Sequence, residues 1–371
     1  MTEQTHWPIF TANGTPHDNI IHLPDPPPWR TFKGEIPSGH RHAHELEAEA
    51  IANRQHELPP RRTTKFEASP EEIELINAAI YLRRPLLVTG KPGIGKSTLA
   101  YAIAHELQLG PVLLWAINSR STLQDALYRY DAIGRLQETQ MQHRSHLHQQ
   151  HFQSTHQNHD KGKPPKPVAI GEFIRLGPLG TALLPSKRPR ILLIDEIDKS
   201  DIDLPHDLLN IFEEGSFEVP ELVRLKTKGE AKDEQQTKTI HHVHTHDGLA
   251  SAPVTGGHVT CNAFPIVVLT SNGEREFPAP FLRRCIRLHI NPPNDDKLNR
   301  IVKAHFGNLD EAQEAHYMSL IYDFINRRDE GDLATDQLLN AIYLSGLSVD
   351  LNAPTPNKQQ LIDEILRRLS L

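Results

Sequence analysis

With 371 residues, 37% hydrophobic content and a formal charge of −7, the chain can bury a sizeable core and is too acidic for a surface that broadly coats nucleic acid. No apolar run approaches the roughly 20 residues of a membrane span, and Met1-Thr2-Glu3-Gln4 lacks the basic-then-apolar order of a signal peptide, so a cytoplasmic, membrane-free protein is expected. Cys261 and Cys285 stand without a paired motif, so neither a disulfide framework nor a cysteine zinc site is implied.

Residues 1–63 read as an extended segment rather than a compact domain. Pro24-Asp25-Pro26-Pro27-Pro28-Trp29-Arg30 favours a proline-stiffened path that packs across the core or reaches a neighbour. Ser69 then caps a helix with Pro70 at its first position. The apolar run Pro85–Thr89 predicts a buried strand and Ser97–Ala104 a helix. Between them Gly90, Lys91, Pro92, Gly93, Ile94, Gly95, Lys96 and Ser97 fit the phosphate-binding loop G-x-x-x-x-G-K-[ST] at every fixed position. Glycines at a strand-to-helix turn let backbone N–H groups and the positive helix end wrap an anion. Gly90 through Thr98 are the expected contacts of a nucleoside triphosphate, with Lys96 reaching the outer phosphates and Ser97 a ligand of Mg²⁺.

After a second strand at Val112–Ile117, more than 70 residues precede the next apolar strand, too many for one crossover helix, so an insertion is required. Its stretch 143–160 sets His143, His146, His148, His151, His156 and His159 among Gln, Ser and Asn, and a mobile surface loop is expected there in preference to a metal site. The strand Ile191–Ile194 ends in Asp195-Glu196. Asp195 is placed to hold Mg²⁺, and Glu196 to orient and deprotonate a water. His242, His244 and His246 alternate along a candidate solvated hairpin. A further strand, Pro265–Leu269, runs into Thr270-Ser271-Asn272, and Asn272 is positioned to hydrogen-bond the water or the γ-phosphate. Arg283 and Arg284 precede a last strand, Ile286–Ile290; a guanidinium there suits an arginine finger that neutralises charge on the transferred phosphoryl, often from a neighbouring subunit.

This order of elements, from the Gly90–Ser97 loop to a helical tail, resembles the AAA+ ATPases. It is most similar to their MoxR branch, through Gly177–Leu184, Asp195-Glu196-Ile197-Asp198-Lys199 and the stretch from Asn272 to Arg284. The resemblance spans about residues 64–371. It implies that Lys96 and Ser97 act as Walker A, Asp195 and Glu196 as Walker B, Asn272 as sensor 1, and Arg284 as the finger with Arg283 in reserve. The family's sensor 2 arginine has no counterpart in Leu333–Leu339, where Asp336 stands; Arg327 and Arg328 are the nearest substitutes. Insertions at 131–182 and 216–247, the latter a β-hairpin, would face the pore or axial surface of a ring. Tyr128 and Tyr130 there either grip a substrate segment or straddle a packed surface.

The expected architecture is an α/β core over 64–292 with a five-stranded parallel sheet, followed by a helical lid over 293–371. The expected function is Mg²⁺-dependent ATP hydrolysis by a homo-oligomer, a hexameric ring by the resemblance, that remodels or activates a client protein, a von Willebrand A-domain protein being the kind implied. A nucleic-acid motor or loader and a nucleotide-dependent switch are the alternatives. Nucleic acid is disfavoured by the acidic balance.

Overall fold

The computed structural model describes residues 7–37, 66–153, 168–229, 239–248, 251–306, 311–329, 333–346, 362 and 364–366. Among the described residues eleven strands are formed: β1 (Leu86–Thr89), β2 (Leu113–Ala116), β3 (Tyr128–Tyr130), β4 (Ile174–Leu176), β5 (Ile191–Asp195), β6 (Ser216–Glu218), β7 (Ile240–His244), β8 (Ser251–Thr255), β9 (His258–Thr260), β10 (Ile266–Ser271) and β11 (Ile286–His289). Five of them make one parallel sheet in the order β11-β1-β10-β5-β2. These are the five strands that the apolar runs predict.

Strands buried on both faces read as continuous apolar runs, and here successive residues serve two different cores. Leu87, Leu192, Ile194, Val267 and Leu269 face a cluster shared with the inserted elements. Leu86, Val88, Ile191, Leu193 and Val268 face a second cluster with the helices Pro70–Leu82 and Lys96–Glu106. The first of those helices opens on a capping box: Ser69 Oγ accepts from the Glu72 N–H at 3.2 Å, and the Glu72 carboxylate accepts from the Ser69 N–H at 2.8 Å.

Residues 7–37 run across the core as an ordered strap. Ile9 and Phe10 are fully buried in the second cluster, and Asn77 captures their backbone, accepting from both N–H groups at 2.8 and 2.9 Å and donating to the Phe10 carbonyl at 2.7 Å. Glu106, at the far end of the helix that begins at Lys96, accepts from the Thr11 N–H and hydroxyl at 2.6 and 2.8 Å. Further on, Phe32 stacks on Phe264 at 4.9 Å.

The inserted region differs from expectation in three ways. Where a mobile loop is expected over 143–160, the backbone is helical from Ala132 through Gln153; residues 154–160 lie outside the described ones. Glutamine, histidine, arginine and glutamate are adequate helix formers, and pairs such as Gln142 to Glu138 at 3.2 Å support the turn. Over 216–247 the chain forms β6, a helix Pro220–Gly229 and β7, and the hairpin pairs β7 with β8. These strands join a second, six-stranded mixed sheet, β3-β4-β7-β8-β9-β6. Tyr128 is buried in it, its hydroxyl donating to Glu221 at 2.9 Å, so it packs rather than projects.

Three C-terminal helices, Asp295–Phe306, Glu311–Asp329 and Thr335–Gly346, gather around their own apolar cluster, which includes Leu298, Val302, Phe324, Leu338 and Ile342. Among the described residues no helix is long and apolar enough to cross a membrane.

Candidate functional site

β1 ends at Thr89 and the chain turns through Gly90, Gly93 and Gly95, whose φ values of 152°, 72° and 90° suit a residue without a side chain. Space demands it as well. A Cβ on Gly90 would lie 2.5 Å from the Ile290 carbonyl oxygen, and one on Gly93 would lie 2.2 Å from Ala334 Cβ. The turn delivers the chain into the helix Lys96–Glu106, whose N-terminal N–H groups open onto a cleft of about 440 Å³.

Lys96 is buried, and its ammonium donates at 2.8 Å to the carbonyls of Gly90 and Lys91 and to Asn272 Oδ1. Burial holds it below the ordinary lysine value, opposed by the charges of Asp198, Asp195 and Glu196. Ser97 Oγ donates to Asp195 Oδ1 at 2.6 Å, and the Thr270 hydroxyl donates to the same oxygen at 2.7 Å. Glu196 follows with φ 60° and ψ 50°, a left-handed conformation that costs a non-glycine residue about 1–3 kcal/mol. Its N–H donates to Thr270 Oγ1 at 2.8 Å, and its carboxylate accepts from Lys199 at 2.8 Å.

Asn272 stands one residue past the end of β10. Its side-chain oxygen meets Lys96, while its N–H and that of Glu274 donate to Asp198 Oδ2 at 2.8 and 3.2 Å. Asp198 is 6% exposed. Asp198 and Thr270 do not stand out in the sequence, because their partners come from elsewhere in the chain. The structure therefore brings Lys96, Ser97, Asp195, Glu196 and Asn272 together at one end of three parallel strands.

The far wall of the cleft comes from the C-terminal helices, with Lys297, Ile301, His305, Thr335, Asp336 and Leu339, and from Phe66 and Glu67. Neither arginine named as a sensor 2 substitute reaches it. Arg327 pairs with Asp323 one turn away at 2.9 Å, and Arg328 donates to the Pro293 carbonyl at 2.6 Å. Lys297, 3.4 Å from Glu72, is a basic group of this wall that the sequence pattern did not single out. Arg283 and Arg284 also stand outside the cleft lining; Arg284 pairs with Glu213 and donates to the Pro280 carbonyl at 3.3 Å.

These residues fit a magnesium nucleotide. The glycine cradle leaves room where a Cβ would clash, and Ser97 and Asp195 offer two hard oxygen donors side by side. Mg²⁺ commonly takes one or two protein oxygens and completes its shell with phosphates and water, so a cluster of three acidic or histidine ligands is not required. Among the described residues there is none.

The sequence profile described as AAA domain (dynein-related subfamily) matches residues 85–285, more than half of the chain. The chain belongs to the AAA+ P-loop ATPase family. Members of that family are in general nucleotide-hydrolysing ATPases, and the AAA+ domain here is built on a five-stranded parallel sheet. No curated protein sequence matches it. Among solved structures it is similar to the RuvB Holliday junction branch migration motor of Thermotoga maritima, at 12% identity over 82% of this chain and 72% of that one with a TM-score of 0.37. It is similar to the same extent to PCH-2 of C. elegans, at 12% identity over 82% and 70% with a TM-score of 0.37.

Proposed function

We propose that this AAA+ protein binds ATP with Mg²⁺ in the cleft and hydrolyses it, and that it works as a homo-oligomer, a hexameric ring by its MoxR-like pattern. The observation that carries the reading is the hydrogen-bonded group Ser97–Asp195 and Lys96–Asn272 beside Glu196, all at the mouth of a glycine loop. Gly90 through Thr98 cradle the phosphates and Lys96 neutralises the outer ones. Ser97 and Asp195 hold the metal. When bound, Mg²⁺ neutralises phosphate oxygens as charge shifts to the leaving group. Asn272 orients the water, and Glu196 takes its proton as the water oxygen bonds to the γ-phosphorus and the bond to ADP breaks. For that step the Glu196 carboxylate must exchange Lys199 for water, a modest cost for a half-exposed ion pair.

Arg284, with Arg283 in reserve, would serve the site of the neighbouring copy, since neither lines the cleft of its own chain. The energy is used to remodel or activate a client protein, a von Willebrand A-domain protein being the class that the MoxR-like pattern favours. The cytoplasm is the proposed location. Capture with Glu196→Gln in the presence of ATP, followed by mass spectrometry, tests the client reading. Enrichment of a discrete protein over the Lys96→Ala control supports it. Hydrolysis stimulated by DNA, with no protein retained, would favour the motor reading instead.

A further inference from the structure

The hydroxyl of Thr270 sits where the metal-binding and proton-accepting halves of the proposed site meet. A threonine hydroxyl has one donor and two acceptor positions. Here the donor goes to Asp195 Oδ1 at 2.7 Å and an acceptor position takes the Glu196 N–H at 2.8 Å. Neither direction can be reversed, because a carboxylate only accepts and an amide N–H only donates. The rotor is therefore fixed by its partners, and the residue is 1% exposed at the border of the cleft. The register explains the placement: Leu269 of β10 pairs with Ile194 of β5, so the next residues of the two strands, Thr270 and Asp195, stand side by side at the strand ends.

We infer that Thr270 is a positioning residue for the proposed ATP hydrolysis, its hydroxyl fixing both the Asp195 carboxylate that holds the metal and the backbone turn that aims Glu196. The inference rests on the ATPase reading above. Ser97 also donates to Asp195 Oδ1, but Ser97 Oγ is itself a metal ligand in that reading, whereas Thr270, at the border of the cleft, is assigned no nucleotide or metal contact there and is free to hold the carboxylate throughout the cycle. Partners of metal-ligating carboxylates set their orientation, and removing one typically lowers metal affinity or activity by about 10- to 100-fold.

The test compares wild type with Thr270→Val, which keeps shape and removes the hydroxyl, with Thr270→Ala as a second hydroxyl-free variant and Thr270→Ser as the rescue. ATP affinity is measured by calorimetry with Mg²⁺ and again with EDTA, alongside kcat and KM. The expected result is that Val and Ala lose most of the Mg²⁺-dependent gain in ATP affinity and about 10- to 100-fold in kcat, with affinity in EDTA unchanged and Ser restoring both. Equal losses of affinity with and without Mg²⁺ would mean a merely structural role and overturn the inference. So would wild-type kcat in both hydroxyl-free variants, or a Ser variant as impaired as Val. Failure of the wild type to bind or turn over ATP would bring down the ATPase reading itself, and this inference with it; that outcome is distinguishable because it is read before any variant is compared.

Discussion

Burial pushes the Cys261 and Cys285 thiols each from 9.0 up to about 12, and Tyr128, buried against Glu221, is likewise raised to about 12. All three groups keep their protons in the folded state at pH values where the unfolded chain has lost them. Stability contributed by these neutral groups is complete below pH 9 and falls as pH rises from 9 towards 12. Urea midpoints measured across that range should decline, and both thiols should resist alkylation at pH 8 until the chain is unfolded. A flat midpoint, or rapid labelling of the native protein, would contradict the burial that raises them. That Lys96, Ser97, Asp195 and Glu196 share one cleft is legible in the sequence from local spacing, a glycine loop after one apolar run and a carboxylate pair after another. Thr270 and Asp198 are not legible in that way, because hydrogen bonds between residues 75 and 74 positions apart place them.

The strap of residues 7–37 illustrates what a run of prolines can and cannot convey. Its extended path is readable from composition, but its anchoring depends on Asn77, a fully buried amide that makes four hydrogen bonds, two of them to the N–H groups of Ile9 and Phe10. Asn77→Ala leaves buried backbone groups unpaired at about 1–3 kcal/mol each, so a loss of about 3 kcal/mol is expected, with cleavage near residues 7–14 under limited proteolysis before the core unfolds. A urea-unfolding difference under about 0.5 kcal/mol would mean that the strap does not rest on this residue. The long helix Ala132–Gln153 went unread for a different reason. Its polar composition argues against burial, and burial is what periodicity detects; apolar residues as sparse as Ile133, Leu136 and Met141, all exposed, set no period that marks a helix. The six-stranded second sheet escaped similarly, since β3, β4, β6 and β9 have only three residues each and pair across insertions.

At the scale of the whole molecule, one copy of the chain gathers the proposed phosphate loop and the Asp195-Glu196 pair in one cleft but keeps Arg283 and Arg284 outside its lining. If Arg284 completes the cleft of a neighbour, activity per protomer rises with concentration. Mixing Arg284→Ala with Glu196→Gln, each inactive alone, then restores turnover at interfaces where an intact base meets an intact finger. Such a group is worth about 10³- to 10⁵-fold in rate, so even a small fraction of mixed interfaces is measurable. Full activity in a strictly monomeric protein would remove the trans arrangement.

ATP binding and ATP turnover, measured side by side in wild type, Lys96→Ala and Glu196→Gln, test the assignment of the cleft most directly. Lys96→Ala is expected to lose binding, whereas Glu196→Gln binds as wild type does and fails to turn over. Equal affinity for ATP in wild type and Lys96→Ala, or undiminished turnover in Glu196→Gln, would contradict it.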